Sequence, residues 1–151
     1  MRIFLFLFSL FTIFFIDQYI KSIFLNGFRY EGSEISLILV YNQGVAFSMF
    51  AFLKEYLKYI QLGLILVVIF FLYKENLLKK HPIISGILIG AGLSNIYDRF
   101  IHIGVVDYIY YHGLFNFAVF NFADVMIDFS IGMFILFYFL DKKKKNYDNI
   151  K

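Results

Sequence analysis

The chain has 151 residues, of which 61% are apolar, 23% aromatic and only 17% charged. Soluble domains average about 45–50% apolar and about 25% charged residues, so the composition excludes an ordinary water-soluble globule, and the length fits one domain. Without cysteine there is no disulfide, no thiolate nucleophile and no Cys-based zinc or iron–sulfur site; a scattered net charge of +3 gives no footprint for nucleic acid.

A helix crossing about 30 Å of hydrocarbon needs about 20 mainly apolar residues. Four runs approach that length, at about 3–20, 56–73, 82–97 and 123–140. Lys58 lies near the start of the second, where a long side chain snorkels to the headgroups. Pro82 opens the third, a position that suits proline. Met1-Arg2 and the uncharged run behind them also fit a secretory signal. No small-x-small cleavage site follows, however, and Asp17-Gln18 stands where one would fall, so a retained span is expected. Between the first two spans, Glu34–Tyr41 resembles a strand. Val105–Tyr111, the break at His112-Gly113 and Leu114–Phe117 read as a short aromatic hairpin. The fold expected is an all-α membrane protein, a single domain over residues 1–151. It has four transmembrane helices and small extracytoplasmic β-hairpin or cradle elements.

Orientation follows from lysine and arginine in short loops near the span ends. Lys74, Lys79 and Lys80 lie in one link, and Lys142, Lys143, Lys144, Lys145 and Lys151 in the tail over 141–151. Both segments are expected in the cytoplasm, and four spans put the amino terminus on the same side. The longer connections, about 21–55 and 98–122, then face outward.

Ionisable side chains within a bilayer cost about 2.5–3.5 kcal/mol each on insertion scales and mark function by default. Here they gather at the outer rim. Asp17 and Lys21 end span one, Asn95, Asp98 and Arg99 end span three, Asp124 opens span four, and Asp107 lies between the last two. Local structural roles compete with chemistry for most of them. Asn121-x-x-Asp124 and Asn95-x-x-Asp98 fit capping arrangements. Asp98 opposes the dipole at a helix C-terminus, a cost that an ion pair with Arg99 would offset. Asp17 and Lys21 have the spacing of an i,i+4 pair. Asp107 has no local partner and needs one from elsewhere. Asp128, one turn beyond Asp124, extends a proton path or hydrogen-bonds between helices. His81, His102 and His112 lack ligand spacing, so neither metal nor cofactor is expected. Two carboxyl groups that approach closely cannot both ionise. One then serves as base toward water and the other as acid toward a carbonyl. A small proton-coupled transporter or channel subunit uses the same chemistry, and spacing alone leaves both readings open.

Five motifs in order carry a more specific signal: Asp17-Gln18-Tyr19-Ile20-Lys21; Asn42-Gln43-Gly44-Val45-Ala46-Phe47-Ser48; Gly90 through Asn95 to Asp98-Arg99; Val105-Val106-Asp107-Tyr108; and Phe120-Asn121-Phe122-Ala123-Asp124. In order and spacing they resemble the lipoprotein signal peptidases of bacteria, also called signal peptidase II. The resemblance implies a metal-free aspartic endopeptidase with Asp107 and Asp124 as its catalytic dyad. Its substrate would be a diacylglyceryl-modified prolipoprotein, cut on the amino side of the lipidated cysteine. Asn42, Gly44, Asn95, Arg99, Asn121 and Ala123 match positions around the pocket, and Asp17 and Lys21 match a supporting motif. The implied setting is the bacterial inner membrane, with both termini cytoplasmic, the site at the outer face, and membrane lipid around a monomer. The chain departs from the family pattern at Ala91-Gly92, which are exchanged, at Ser94 in place of glycine, and at Val45 in place of alanine. These changes are expected to add bulk near the pocket and alter substrate fit.

Overall fold

The computed structural model describes residues 1–44, 51–53 and 55–148, with the side chains of 51 and 144–148 excepted. Val45, Ala46, Phe47 and Ser48 of the second motif therefore lie outside the described residues. The elements in chain order are α1 (Arg2–Leu25), β1 (Ile35–Asn42), a 3-10 turn (Ala51–Leu53) and α2 (Tyr56–Lys74). The one-turn α3 (Leu77–Lys80), α4 (Pro82–Ile101), β2 (Val105–Tyr111) and α5 (Phe122–Asp148) follow.

Helices α1, α2 and Phe122–Lys143 of α5 are long and apolar enough to cross a membrane. Helix α4 forms where the third span is expected, but it is more polar because it is the hub: it packs against α1, α2 and α5. All four long helices outrun their expected ends. Helix α1 continues to Leu25, so Asp17 and Lys21 lie inside it rather than at its end, and α5 carries much of the expected tail as helix to Asp148. The chain leaves α1 through Gly27 at φ +99°, a conformation that suits glycine.

Helix α1 buries Leu10, Asp17, Lys21 and Phe24, spaced by seven, four and three residues on one face. Its amino-terminal half meets α4 by close backbone approach. A Cβ at Gly86 would collide with Ser9 Oγ and the Phe6 carbonyl, and one at Gly90 with the Leu10 carbonyl. Small residues four apart allow such contact between helices in lipid, where packing rather than water drives association. Leu10, Leu72 and Ile89 form the apolar core at this level.

Strand β1 forms over nearly the expected residues, and so does β2, but the hairpin expected within 105–117 does not. Strand β2 pairs antiparallel with β1, with Ile35 opposite Tyr111 and Asn42 opposite Val105, and the register shifts between Leu37 and Val40. Beyond the turn at His112-Gly113 the chain returns to β2 at a single bridge, Ile109 with Phe120. A turn signal fixes a reversal locally, whereas the partner that fills an open strand edge is set by which segment the helices deliver to it. Gly104 lets the sheet close, since a Cβ there would meet the Asn42 carbonyl and Gln43 N.

Candidate active site

The carboxyl end of α1, the carboxyl end of α4, the amino end of α5 and the two strands converge at one end of the bundle. Lys21 is at their centre and is only 1% exposed. Its Nζ lies 2.7 Å from Asp17 Oδ2 and 2.7 Å from Asp98 Oδ2, and it donates to Asn95 Oδ1 at 2.8 Å. The expected i,i+4 pair of Asp17 with Lys21 is therefore present, and it extends to Asp98. Asp98 pairs with Lys21 and not with Arg99, because α1 supplies a cation on the face that Asp98 buries. Asp98 Oδ2 also accepts the Val106 N–H at 3.0 Å, which ties β2 to α4.

Asp17 Oδ1 accepts the Ala123 N–H at 3.0 Å, fixing the first turn of α5. Its Oδ2 accepts from Ser94 Oγ at 2.7 Å. Gln18 Nε2 donates to Ser94 Oγ and to Asp98 Oδ1, both at 2.8 Å. Ser94 thus faces α1 and adds a hydrogen bond there, rather than adding bulk to the pocket as expected. Gln18 and Ser94 were given no supporting role on sequence. Their placement one residue from Asp17 and four from Asp98 is the signal that links them to that pair.

Asn121 and Asp124 form a reciprocal cap at the start of α5. The Asp124 N–H donates to Asn121 Oδ1 at 2.9 Å, and the Asn121 N–H donates to Asp124 Oδ2 at 3.1 Å. The expected Asn95–Asp98 cap does not form; Asn95 Nδ2 instead donates to Asp124 Oδ1 at 2.8 Å. Tyr108 Oη accepts the Phe122 N–H at 3.0 Å, and its ring stacks on Phe24. Cap and candidate chemistry therefore reside in the same carboxyl group.

Asp107 on β2 finds its partners across the chain. Asn42 Nδ2 donates to its Oδ2 at 3.0 Å and Asn121 Nδ2 to its Oδ1 at 2.7 Å. Arg99 holds the segment that carries Asn42: Nη1 donates to the Asn42 carbonyl at 3.3 Å and Nη2 to the Gly44 carbonyl, while the Gly44 N–H returns to Asn42 Oδ1 at 3.0 Å. Asn121 therefore joins the two candidate acids, touching Asp107 through its side chain and Asp124 through both side chain and backbone. Asp107 is 2% exposed. Burial pushes its carboxyl up to about 7, and the nearby Asp124 adds to the rise; the hydrogen bonds from Asn42 and Asn121 oppose it. Among the described residues no Lys or Arg forms an ion pair with either acid.

Asp107, Asp124, Asn42, Asn95 and Arg99 line a cavity of about 750 Å³ that continues between α2, α4 and α5 along apolar side chains. The structure thus brings eight of the ten candidate residues into one hydrogen-bonded or ion-paired network, with Gly44 and Ala123 attached through their backbones. The three histidines stay apart from it. His81 stacks on Phe137, His102 lies against Tyr41, and His112 hydrogen-bonds Ser36 Oγ at 2.8 Å.

Comparison with known proteins identifies the family. Residues 9–140 match the family model described as signal peptidase (SPase) II. The chain is 53% identical over 137 residues to a lipoprotein signal peptidase of Helicobacter pylori, covering 90% of this chain and 87% of that one. It is 57% identical over 136 residues to one of Sulfurimonas denitrificans, covering 89% and 88%. A solved structure described as a bacterial membrane enzyme superposes with a TM-score of 0.75 at 21% identity, covering 91% of this chain and 89% of that one, and so shares the fold. The chain belongs to the signal peptidase II family.

Proposed function

We propose that Asp107 and Asp124 are the catalytic pair of this aspartic endopeptidase, whose reaction removes the signal peptide from a lipid-modified prolipoprotein. Asp107 carries the proton near neutral pH, as its raised value of about 7 supports. Asp124 acts as base. It takes a proton from a water held between the two carboxyl groups as that water attacks the scissile carbonyl, and Asp107 protonates the carbonyl oxygen. Collapse of the tetrahedral species returns a hydroxyl proton to Asp107 as the C–N bond breaks, and the proton held by Asp124 passes to the leaving amine. Asn42 and Asn121 hold Asp107, while Asn95 and the cap hold Asp124. Arg99 fixes the Asn42–Gly44 segment, and its Nε is buried with no hydrogen bond among the described residues. The observation that carries this reading is Asn121, which hydrogen-bonds both acids where they line one cavity.

On this reading α4 is the third of four crossings, so that both termini and the lysines of the 74–80 link lie on the cytoplasmic side and the polar end at the outer face of the inner membrane. A diacylglyceryl-modified cysteine keeps its acyl chains in lipid and presents its peptide bond at that depth. The transporter reading fits less well, since the polar network occupies one end of the bundle rather than its full depth.

Asp107→Asn and Asp124→Asn, assayed on a lipid-modified precursor, are each expected to lose at least about 10³-fold in turnover while the proteins still insert and accumulate. Normal turnover by either variant would overturn the pair.

A further inference from the structure

The polar side chains on the cavity wall divide into two sets. Asn42, Asn95, Asp107 and Asp124 are bonded to one another or to their supports. Gln61 on α2 and Asp128 on α5 line the same cavity with no such bonds among the described residues. Gln61 Oε1 is fully buried and unpartnered. A Cβ at Gly92 of α4 would meet Ile65 of α2, and Gln61 is one turn nearer the sheet than Ile65. Asp128 is one turn, about 5–6 Å, deeper than Asp124. Gln61 thus holds a buried acceptor without a hydrogen bond among the described residues, and Asp128 offers an exposed carboxyl on the same otherwise apolar wall. An unspent acceptor at such a place destabilises the empty protein and is repaid by a ligand that brings a donor.

The substrate brings donors of this kind. A peptide bond is open to attack only where the chain around it is not helical, so the segment on the amino side of the cut must unwind. Unwinding frees backbone N–H groups at a depth that water reaches poorly, where each needs an acceptor. We propose that Gln61 and Asp128 are positioning residues that accept backbone N–H bonds from the unwound signal-peptide segment on the amino side of the scissile bond. This rests on the peptidase reading and names how that site holds its substrate.

The test compares Gln61→Leu and Asp128→Leu with the full-length wild-type protein in lipid, using a lipid-modified precursor peptide. Each variant should raise KM about 5–20-fold with kcat nearly unchanged, since an interaction made equally in ground and transition states is lost. Neither should lower the thermal midpoint, because no internal bond is broken. Gln61→Glu and Asp128→Asn, which keep an acceptor, should recover most of the loss. In a series of precursors with one backbone N–H at a time replaced by an ester oxygen, one member should lose the same factor against wild type and nothing more against Gln61→Leu. Unchanged KM in both leucine variants would overturn the proposal, as would a fall in thermal midpoint with kcat reduced and KM unmoved. Failure of the catalytic pair itself would show separately, as turnover retained by Asp107→Asn.

Discussion

Two pairs of aspartates lie at the same end of this bundle, and their bridging groups differ. Asp17 and Asp98 are joined by the ammonium of Lys21, which contacts both at 2.7 Å. Asp107 and Asp124 are joined by the amide of Asn121, with Asn42 and Asn95 completing the donors. A buried cation between two carboxylates compensates their charge and locks three elements together. Neutral amides hold the other two carboxyl groups without a direct ion pair among the described residues, and burial raises the Asp107 carboxyl. The first arrangement ties the elements together, and the second leaves two carboxyl groups on the wall of one cavity.

The sharpest way to break this contrast is Lys21→Met. It strands two buried carboxylates, and removing one partner of a buried ion pair costs about 3–5 kcal/mol. The variant should accumulate poorly or unfold far below wild type in thermal melts, whereas Asp107→Asn should fold and lack activity. A Lys21→Met protein with a normal melting point would show that the ion network does not hold the helices. Asp98→Asn should behave in the same direction, losing stability more than chemistry.

A second effect follows from Asp107, whose carboxyl titrates near 7 in the folded protein against about 3.9 in an unfolded chain. Between those values the folded state holds a proton that the unfolded chain has released, so this group makes stability fall as pH rises from about 4 to about 7, by at most about 1.4 kcal/mol per pH unit. Thermal melts across that window should show a shallower slope in Asp107→Asn than in wild type; an identical slope would place the retained proton elsewhere. Cleavage should likewise decline as pH climbs past about 7, when the acid that protonates the carbonyl is lost. The smallest effect belongs to Ser94→Ala, which removes a hydrogen bond to Asp17 and one from Gln18 while Lys21 and the Ala123 N–H still hold Asp17. It should cost about 1–2 kcal/mol and change kcat/KM less than the loss of either catalytic acid. A large activity loss without destabilisation would mean that Ser94 faces substrate.

Much of this was legible in the chain. Apolar run lengths located the helices, and the expense of charges in lipid flagged every acid in the network except the choice of partner. That choice failed at Asp98, where the adjacent Arg99 was the obvious counter-ion. Neighbours in sequence at a helix end point about 100° apart, so Asp98 turns to α1 while Arg99 turns to the Asn42–Gly44 segment. The strands are legible in composition, but their pairing is not, because α2, α3 and α4 separate β1 from β2. Ser94 looked like added bulk in a pocket because its face of α4 is decided by contact with α1.

The sequence by itself determined that this chain lives in lipid, that its polar groups gather at one end and that Asp107 lacks a local partner, since these follow from transfer costs and spacing along one segment. Only the tertiary structure decided which acids share a cation and which share an amide. That distinction depends on side chains meeting at a few ångströms although 14 to 77 residues of chain separate them, and a spacing of that kind is set by packing rather than by local pattern.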